Sequence, residues 1–143
     1  MTLSDVGAAH ALDADALARY LRGQIDGVAG DLTIRQFTDG QSNPTFQLIT
    51  GDARYVLRKK PPGDLLPSAH AVDREYRVMA ALQGAEVPVP RMLHLCLDRD
   101  VIGTEFYVME MVEGQVFQDP SLPGLTPDQR RAFYDSFIRA LAA

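Results

Sequence analysis

The sequence predicts an α+β fold, with a five-stranded antiparallel sheet covered by one helix. Three alternating apolar runs joined by short links lie within residues 32–58 and indicate an antiparallel meander. A helical apolar pattern follows over about residues 68–83, and two further alternating runs complete the sheet. A last amphipathic helix begins after Thr126 and continues to the end of the printed sequence.

Local signals mark the boundaries of the first elements. Residues 13–22 predict a short helix with Asp13 or Asp15 as its cap. Gly51-Asp52 predicts a tight turn between the second and third strands. Pro61-Pro62 ends the third strand, because proline cannot donate to a β-ladder, and Ser68 is the expected cap of the following helix.

The second half of the sequence has equally local signals. Residues 91–97 and 104–112 predict two strands, and Asp98-Arg99-Asp100 between them predicts a turn. Thr126 and Gln129 have the spacing of a capping box, with proline at the first helical position. The broad apolar face of this last helix predicts that further chain or a second subunit covers it, so we expect self-association.

Composition restricts the class of partner. The 143 residues carry a net charge of −5, which argues against nucleic acids and anionic membranes, and the only tight basic cluster is residues 58–60. A single cysteine, Cys96, forms no internal disulfide and suits a reducing cytoplasm. The sequence shows neither a signal peptide nor an apolar run of membrane-spanning length, so we expect a cytoplasmic protein.

The basic cluster at the end of the third strand is the first candidate for chemistry. Alternation places Val56 and Arg58 on one face of the strand and Lys59 on the other. The simplest interpretation is a solvated basic strand end. Lys59 and Lys60 stay open as alternatives to Arg58, because a shift of one residue in register would exchange the faces.

Glu75 lies on the helix face that must pack against the sheet, together with Val72 and Met79. A carboxylate at such a position is costly to bury unless it is paired. Pairing with Arg58 would satisfy both charges. Pairing with Arg74, with Arg77 or with solvent at the helix margin is the alternative.

Three runs carry a family resemblance: YVLRKKPPGDLLPSAHAVDREYRVMAAL, VPVPRMLHLC and VIGTEFYVMEMVEG. In their order and spacing they resemble the aminoglycoside-phosphotransferase and choline-kinase superfamily, and more narrowly the phosphotransferase domain associated with acyl-CoA dehydrogenases. The similarity covers about residues 31–141. It implies an N-terminal helix and linker over residues 1–30, a protein-kinase-like N-terminal lobe over 31–112, and a hinge linker with the first helix of a cut-off second lobe over 113–143.

The resemblance also implies nucleotide-binding roles on the first three strands. Ser42 and Asn43 would lie in a phosphate-covering loop, for which an ordinary hairpin loop is the alternative. Arg58 would meet the nucleotide phosphates, and Val56 would form part of the roof over adenine. Glu75 would hold Arg58 in the strand-to-helix ion pair of kinase-like proteins.

The strand and hinge over residues 106–114 would hold the adenine base. The resemblance implies that the carbonyl of Glu110 and the backbone N–H and carbonyl of Val112 face the base, while Met109 borders a rear pocket. Each such hydrogen bond contributes about 1 kcal/mol net. An apolar strand followed by a turn, with no ligand, describes the same residues equally simply.

The residues that complete catalysis in this superfamily are absent from the printed sequence. Neither an H-G-D-x-x-x-x-N segment nor a later I-D-W- or I-D-F-like segment occurs, so no catalytic residue is assigned and the chain alone is expected to be inactive. The resemblance implies ATP, Mg²⁺ held by the missing lobe, and a small-molecule hydroxyl acceptor, hydroxyacyl rather than aminoglycoside. A non-catalytic module that binds a nucleotide or a partner is the alternative. His94 and Cys96 lack further metal ligands at a suitable spacing, so no metal site is expected in the chain.

Overall fold

The computed structural model describes residues 2–38, 43–62, 70–117 and 119–143. A 3-10 turn covers Ala8–His10, and the helices are α1 (Ala14–Leu21), α2 (Val72–Ala81) and α3 (Pro127–Ala142). The strands are β1 (Leu3–Ser4), β2 (Thr33–Phe37), β3 (Thr45–Thr50), β4 (Ala53–Lys59), β5 (Met92–Cys96) and β6 (Phe106–Glu110).

The strands form one antiparallel sheet in the order β1-β2-β3-β4-β6-β5. The α+β class and the β2–β3–β4 meander are confirmed, with Thr50 opposite Ala53 across the tight turn at Gly51-Asp52. The prediction of five strands was wrong, because the sheet has six. The sixth is β1, whose Leu3 lies opposite Phe37; two residues are too short to show the alternation that identifies a strand.

One face of the sheet packs against α1. Leu17 and Leu21 of α1 are fully buried in a cluster with apolar residues of four strands: Phe46 and Leu48 of β3, Leu57 of β4, Cys96 of β5, and Phe106 and Val108 of β6. Burial of each such side chain stabilises the fold by about 2 kcal/mol before entropy is counted. The N-terminal segment is therefore part of the main core.

The opposite face packs against α2. Tyr107 and Met109 alternate with the β6 residues of the first cluster, and they contact Val72 and Met79 of α2 together with Met92 of β5. The prediction that one helix covers the sheet was also wrong, since α1 and α2 cover opposite faces. A glycine-containing link joins the short helix α1 to the meander. Nothing in the apolar pattern of α1 itself indicates which face of the sheet it covers.

Helix starts agree with the sequence where they can be compared. The Asp13 carboxylate accepts from the backbone N–H of Ala16 at 2.9 Å, as expected for the cap of α1. Thr126 and Gln129 form both bonds of the predicted capping box. Ser68, the expected cap of α2, lies outside the described residues, and the helix begins at Val72.

The last helix, α3, has an unusually apolar exposed surface. No residue of α3 within the described chain is buried, and Phe137, Ile138 and Leu141 are 53%, 59% and 73% exposed. Its contacts come from the preceding segment, where the Phe117 and Phe133 rings lie 5.3 Å apart. Across the described ranges, no helix combines the length and apolar character that crossing a membrane requires.

Candidate functional site

An ion pair joins the central strand β4 to helix α2. Arg58 Nε lies 3.1 Å from Glu75 Oε2, and the two side chains are 28% and 35% exposed. Arg58 reaches the helix because alternation turns it to the α2 face, while Glu75 lies one turn from Val72, the residue that anchors α2 to the sheet. The predicted pairing of these two residues is thus present.

Tyr107 lies on β6, next to this ion pair, and contacts it from the sheet. It stands directly opposite Arg58 in the β4–β6 register, is 1% exposed, and donates its hydroxyl to Glu75 Oε2 at 3.0 Å. Burial raises the pKa of the Tyr107 hydroxyl, and the neighbouring Glu75 carboxylate raises this pKa further. Tyr107 therefore remains a neutral donor at any ordinary pH.

The second carboxylate oxygen of Glu75 is held from the start of β3. Asn43 is 6% exposed, and its Nδ2 donates to Glu75 Oε1 at 2.9 Å. Asn43 Oδ1 lies 2.8 Å from Nδ1 of His70, just before α2. The amide that the resemblance assigned to phosphate binding is thus engaged with protein groups, and Ser42 lies outside the described residues.

The two lysines that could have replaced Arg58 lie elsewhere. Lys59 is buried on the opposite face, with Nζ 5.8 Å from the centroid of the Phe46 ring, and burial lowers the pKa of its ammonium group. Lys60 Nζ lies 2.5 Å from Glu105 Oε2. Of the three basic residues, Arg58 alone pairs with Glu75 within the described chain.

Glu105 also explains the Asp98-Arg99-Asp100 segment, which forms the predicted turn. Arg99 donates to Glu105 Oε1 at 2.7 Å, and the hydrogen bonds from Lys60 and Arg99 lower the pKa of the Glu105 carboxyl. The segment is a structural turn stabilised by an ion-pair cluster.

A cavity of about 710 Å³ opens beside the Arg58–Glu75 pair, between α2 and the sheet. Its polar wall and its apolar wall are distinct. Asn43, His70, Arg74 and the ion pair form the polar part, and Val78, Met79, Pro90 and Met109 form the apolar part. The cavity has the size and mixed lining typical of a small-molecule site.

The residues predicted to surround adenine occupy the same strands. Val56 is 6% exposed, shares the face of Arg58, and lies opposite Met109 in the register. Met109 also lines the cavity. These two apolar side chains can form one surface beside the cationic group of Arg58.

The hinge residues differ from each other in their present contacts. Glu110 Oε1 accepts from the backbone N–H of Arg91 at 2.8 Å, which fixes the end of β6. Val112 is 60% exposed, and within the described residues its backbone N–H and carbonyl take part in no backbone–backbone hydrogen bond. The peptide groups that the resemblance assigns to base recognition are therefore open at Val112.

His94 and Cys96, which share part of β5, have structural partners. The Tyr20 hydroxyl lies 2.9 Å from His94 Nε2, and Cys96 Sγ is 3.4 Å from the carbonyl oxygen of Asp98. Burial raises the pKa of Tyr20 to about 12 and lowers the pKa of His94. In the ranges that the structure describes, no group of three or more His, Cys, Asp or Glu side chains could hold a metal ion.

Sequence reasoning missed Tyr107 and His70. Alternation along β6 does place Tyr107 on the Met109 face, but a sequence does not reveal that β4 pairs with β6 in a register that sets it opposite Arg58. A single histidine ahead of a helix carries no pattern of its own.

Comparisons with known proteins agree with the resemblance. The phosphotransferase enzyme family, APH, matches residues 33–143. Acyl-CoA dehydrogenase family member 11 of Rattus norvegicus is 49% identical over 137 residues, which are 93% of this chain and 18% of that protein. Acyl-CoA dehydrogenase family member 10 of Mus musculus is 50% identical over 132 residues, 92% of this chain and 12% of that protein.

A solved structure extends the similarity to three dimensions. The Ralstonia eutropha protein named "putative aminoglycoside phosphotransferase" is 48% identical, with a TM-score of 0.79, over 93% of this chain and 38% of its own. The predicted kinase-like fold is confirmed by this likeness. The chain spans less than a fifth of each of the two curated relatives.

Proposed function

Because the chain belongs to the phosphotransferase enzyme family, we propose that it forms the nucleotide-binding part of an ATP-dependent phosphotransferase that phosphorylates a hydroxyl group of a small molecule. The observation that carries this proposal is the 3.1 Å pair of Arg58 and Glu75 at the wall of the cavity. A guanidinium is permanently charged and can hold a phosphate through two parallel hydrogen bonds. A carboxylate behind it fixes the direction in which it points.

The surrounding residues suit the remainder of a nucleotide. Val56 and Met109 offer an apolar surface for a base, and the open backbone of Val112 offers a donor and an acceptor at its edge. ATP would supply the transferred phosphoryl group. The described residues contain no cluster of ligands that could hold a metal ion, so Mg²⁺ would be held by other parts of the protein. The acceptor hydroxyl would also be bound there.

A hydroxyacyl acceptor is the substrate class that we favour. Relatives at 49% and 50% identity are named as acyl-CoA dehydrogenases, and this chain matches only a small part of each, so a phosphotransferase region and a dehydrogenase region would act on related compounds. The Ralstonia eutropha relative is named for aminoglycosides, which makes an aminoglycoside the competing acceptor. The proposal includes a cytoplasmic location, where ATP is available and a lone thiol such as Cys96 stays reduced.

Titration of Mg-ATP into the 143-residue protein tests nucleotide binding directly. We expect a dissociation constant near millimolar, about −4 kcal/mol, because the contacts described here come from one side of a cleft. Arg58→Ala should weaken binding at least tenfold, since it removes the group that would meet the phosphates. Arg19→Ala is the matched control, because it removes an exposed arginine from α1 on the other face of the sheet. Equal affinities for the two variants would contradict the assignment of Arg58.

The exposed face of α3 favours a second candidate function, a partner-binding module without catalysis. Phe137, Ile138 and Leu141 are each more than half exposed on one helix, and contiguous exposed apolar side chains of this kind mark a surface for protein contacts. The two functions predict different results in the same titration. A partner-binding module would show no saturable binding of Mg-ATP at concentrations up to several times the expected dissociation constant.

A further inference from the structure

The hydrogen bonds around Glu75 determine the orientation of the Asn43 side chain. The Glu75 carboxylate can only accept, so the group 2.9 Å from its Oε1 must be the amide nitrogen of Asn43. The Asn43 oxygen therefore faces His70, and Asn43 is almost completely buried, which prevents it from exchanging these partners for water.

The same logic determines which nitrogen of His70 carries a proton. Asn43 Oδ1 is an acceptor, so His70 Nδ1, 2.8 Å away, must be the donor. In its neutral form the ring is then the Nδ1–H tautomer, whereas free histidine prefers the Nε2–H tautomer. Nε2 is left with a lone pair and has no hydrogen-bond partner among the described residues, at a position that lines the cavity.

The backbone at His70 is also unusual. Its φ is 55°, in the left-handed region, which few residues other than glycine adopt and in which asparagine, aspartate and histidine are the most frequent of them. The residue stands immediately before Ala71, which caps α2 without a side-chain hydrogen bond. His70 therefore connects the start of α2 to Asn43, which lies just before β3.

We propose that His70 is a positioning residue: as the Nδ1–H tautomer it holds Asn43, which in turn orients Glu75 toward Arg58. The effect of this positioning role on nucleotide affinity rests on the proposed function, whereas the assignment of the His70 tautomer does not depend on that function. Three links carry the effect, from His70 to Asn43, from Asn43 to Glu75 Oε1, and from Glu75 Oε2 to Arg58. Loss of the first link would free the Asn43 amide to rotate and would leave Glu75 with one contact fewer.

Two isosteric substitutions separate this role from general packing. His70→Asn retains a nitrogen donor close to the Nδ1 position. The aspartate of His70→Asp has the same size as asparagine and tolerates the same left-handed backbone region, but its carboxylate offers only acceptors. We expect H70N to bind Mg-ATP within about twofold of the unchanged protein and H70D to bind about tenfold more weakly, which is about 1.4 kcal/mol. Thermal unfolding of both variants shows whether each is folded at the temperature of the titration.

Two-bond ¹H–¹⁵N spectra of the histidine rings supply a measurement that does not depend on ATP. The protein has three histidines, and the signals of His70 are those lost in H70N. For the neutral ring, we expect the pattern of a protonated Nδ1 and an unprotonated Nε2. The Nε2–H pattern would overturn the proposal, as would equal Mg-ATP affinities for folded H70D and H70N. If the unchanged protein binds no Mg-ATP, the proposed function fails, and the ring spectrum alone decides the role of His70.

Discussion

Tyr107 and Glu75 are joined by a hydrogen bond of 3.0 Å that connects strand β6 to helix α2. The bond gives Glu75 Oε2 two neighbours, the Tyr107 hydroxyl from below and Arg58 from the adjacent strand. A carboxylate held in this way loses rotational freedom before any ligand arrives. Preorganisation of this kind reduces the cost of binding.

Tyr107→Phe should lower the free energy of unfolding by about 1.5 kcal/mol. The variant keeps the buried ring but removes the donor to an ionised acceptor, a bond stronger than one between neutral groups. Urea denaturation measures the loss. Tyr76→Phe is the matched control, because the Tyr76 ring packs 6.1 Å from that of Tyr107 and its hydroxyl has no hydrogen-bond partner within the described chain. A similar loss in both variants would show that the hydroxyl bond adds no stability.

A double-mutant cycle with Arg58→Met and Glu75→Gln should give a coupling energy of about 1 kcal/mol. The pair is partly shielded from water, so its coupling should exceed that of an exposed pair but stay below that of a fully buried one. The pair of Arg77 and Asp73 on α2 is the comparison: its atoms are 3.9 Å apart and the Arg77 side chain is 67% exposed, so about 0.3 kcal/mol is expected there. Stabilities come from urea denaturation of each single and double variant. Equal coupling energies for the two pairs would show that the shielding of Arg58 and Glu75 from water does not strengthen their interaction.

Stability should decrease as the pH falls through the range in which His94 titrates. Burial lowers the pKa of His94 in the folded state, so the unfolded chain, with a histidine pKa near 6.5, takes up its proton first. The unfolded state then binds more protons, and the free energy of unfolding falls from about pH 6.5 down to the lowered folded pKa, below which this loss stops.

Urea denaturation at pH 7.5, 6.5 and 5.5 measures that slope in the unchanged protein and in His94→Gln. We expect a shallower slope in the variant, because glutamine has no titrating group but can still form a hydrogen bond with the Tyr20 hydroxyl. Identical slopes would mean that His94 is not the group responsible.

The apolar face of α3 should cause self-association that depends on concentration. Sedimentation velocity at several concentrations should show a rising average mass, since Phe137, Ile138 and Leu141 are all more than half exposed. Phe137→Glu should reduce association by placing a charge within that face. Ser136→Glu adds the same charge to a neighbouring exposed position outside it. A mass that stays constant with concentration in the unchanged protein would contradict this prediction.

Several features of the site could be predicted because they depend on short-range geometry. Alternation along β4 separates Arg58 from Lys59, and the helical period places Glu75 on the packed face of α2, so their meeting requires only that α2 covers that face of the sheet. Tyr107 and His70 depend instead on strand register and on the path of the chain before α2, which local patterns do not contain.

The role of Asn43 was predicted only from its position in the chain. Its place between the first two strands of the predicted meander suggested a role in holding phosphate, and that role stays a prediction. The structure adds that its amide contacts Glu75 and His70, and the preference for these partners comes from burial at 6% exposure. No sequence pattern reports burial at a loop position with this accuracy.

The two-residue strand β1 gives the first residues of the chain a protective role. Leu3 and Ser4 pair with the outer side of β2, and the backbone N–H of Thr38 donates to the carbonyl of Thr2 at 3.0 Å. Without them, the outer N–H and C=O groups of β2 would be free to pair with the same strand of another molecule, the route by which open sheet edges aggregate. Removing these residues should therefore lower the solubility of the protein.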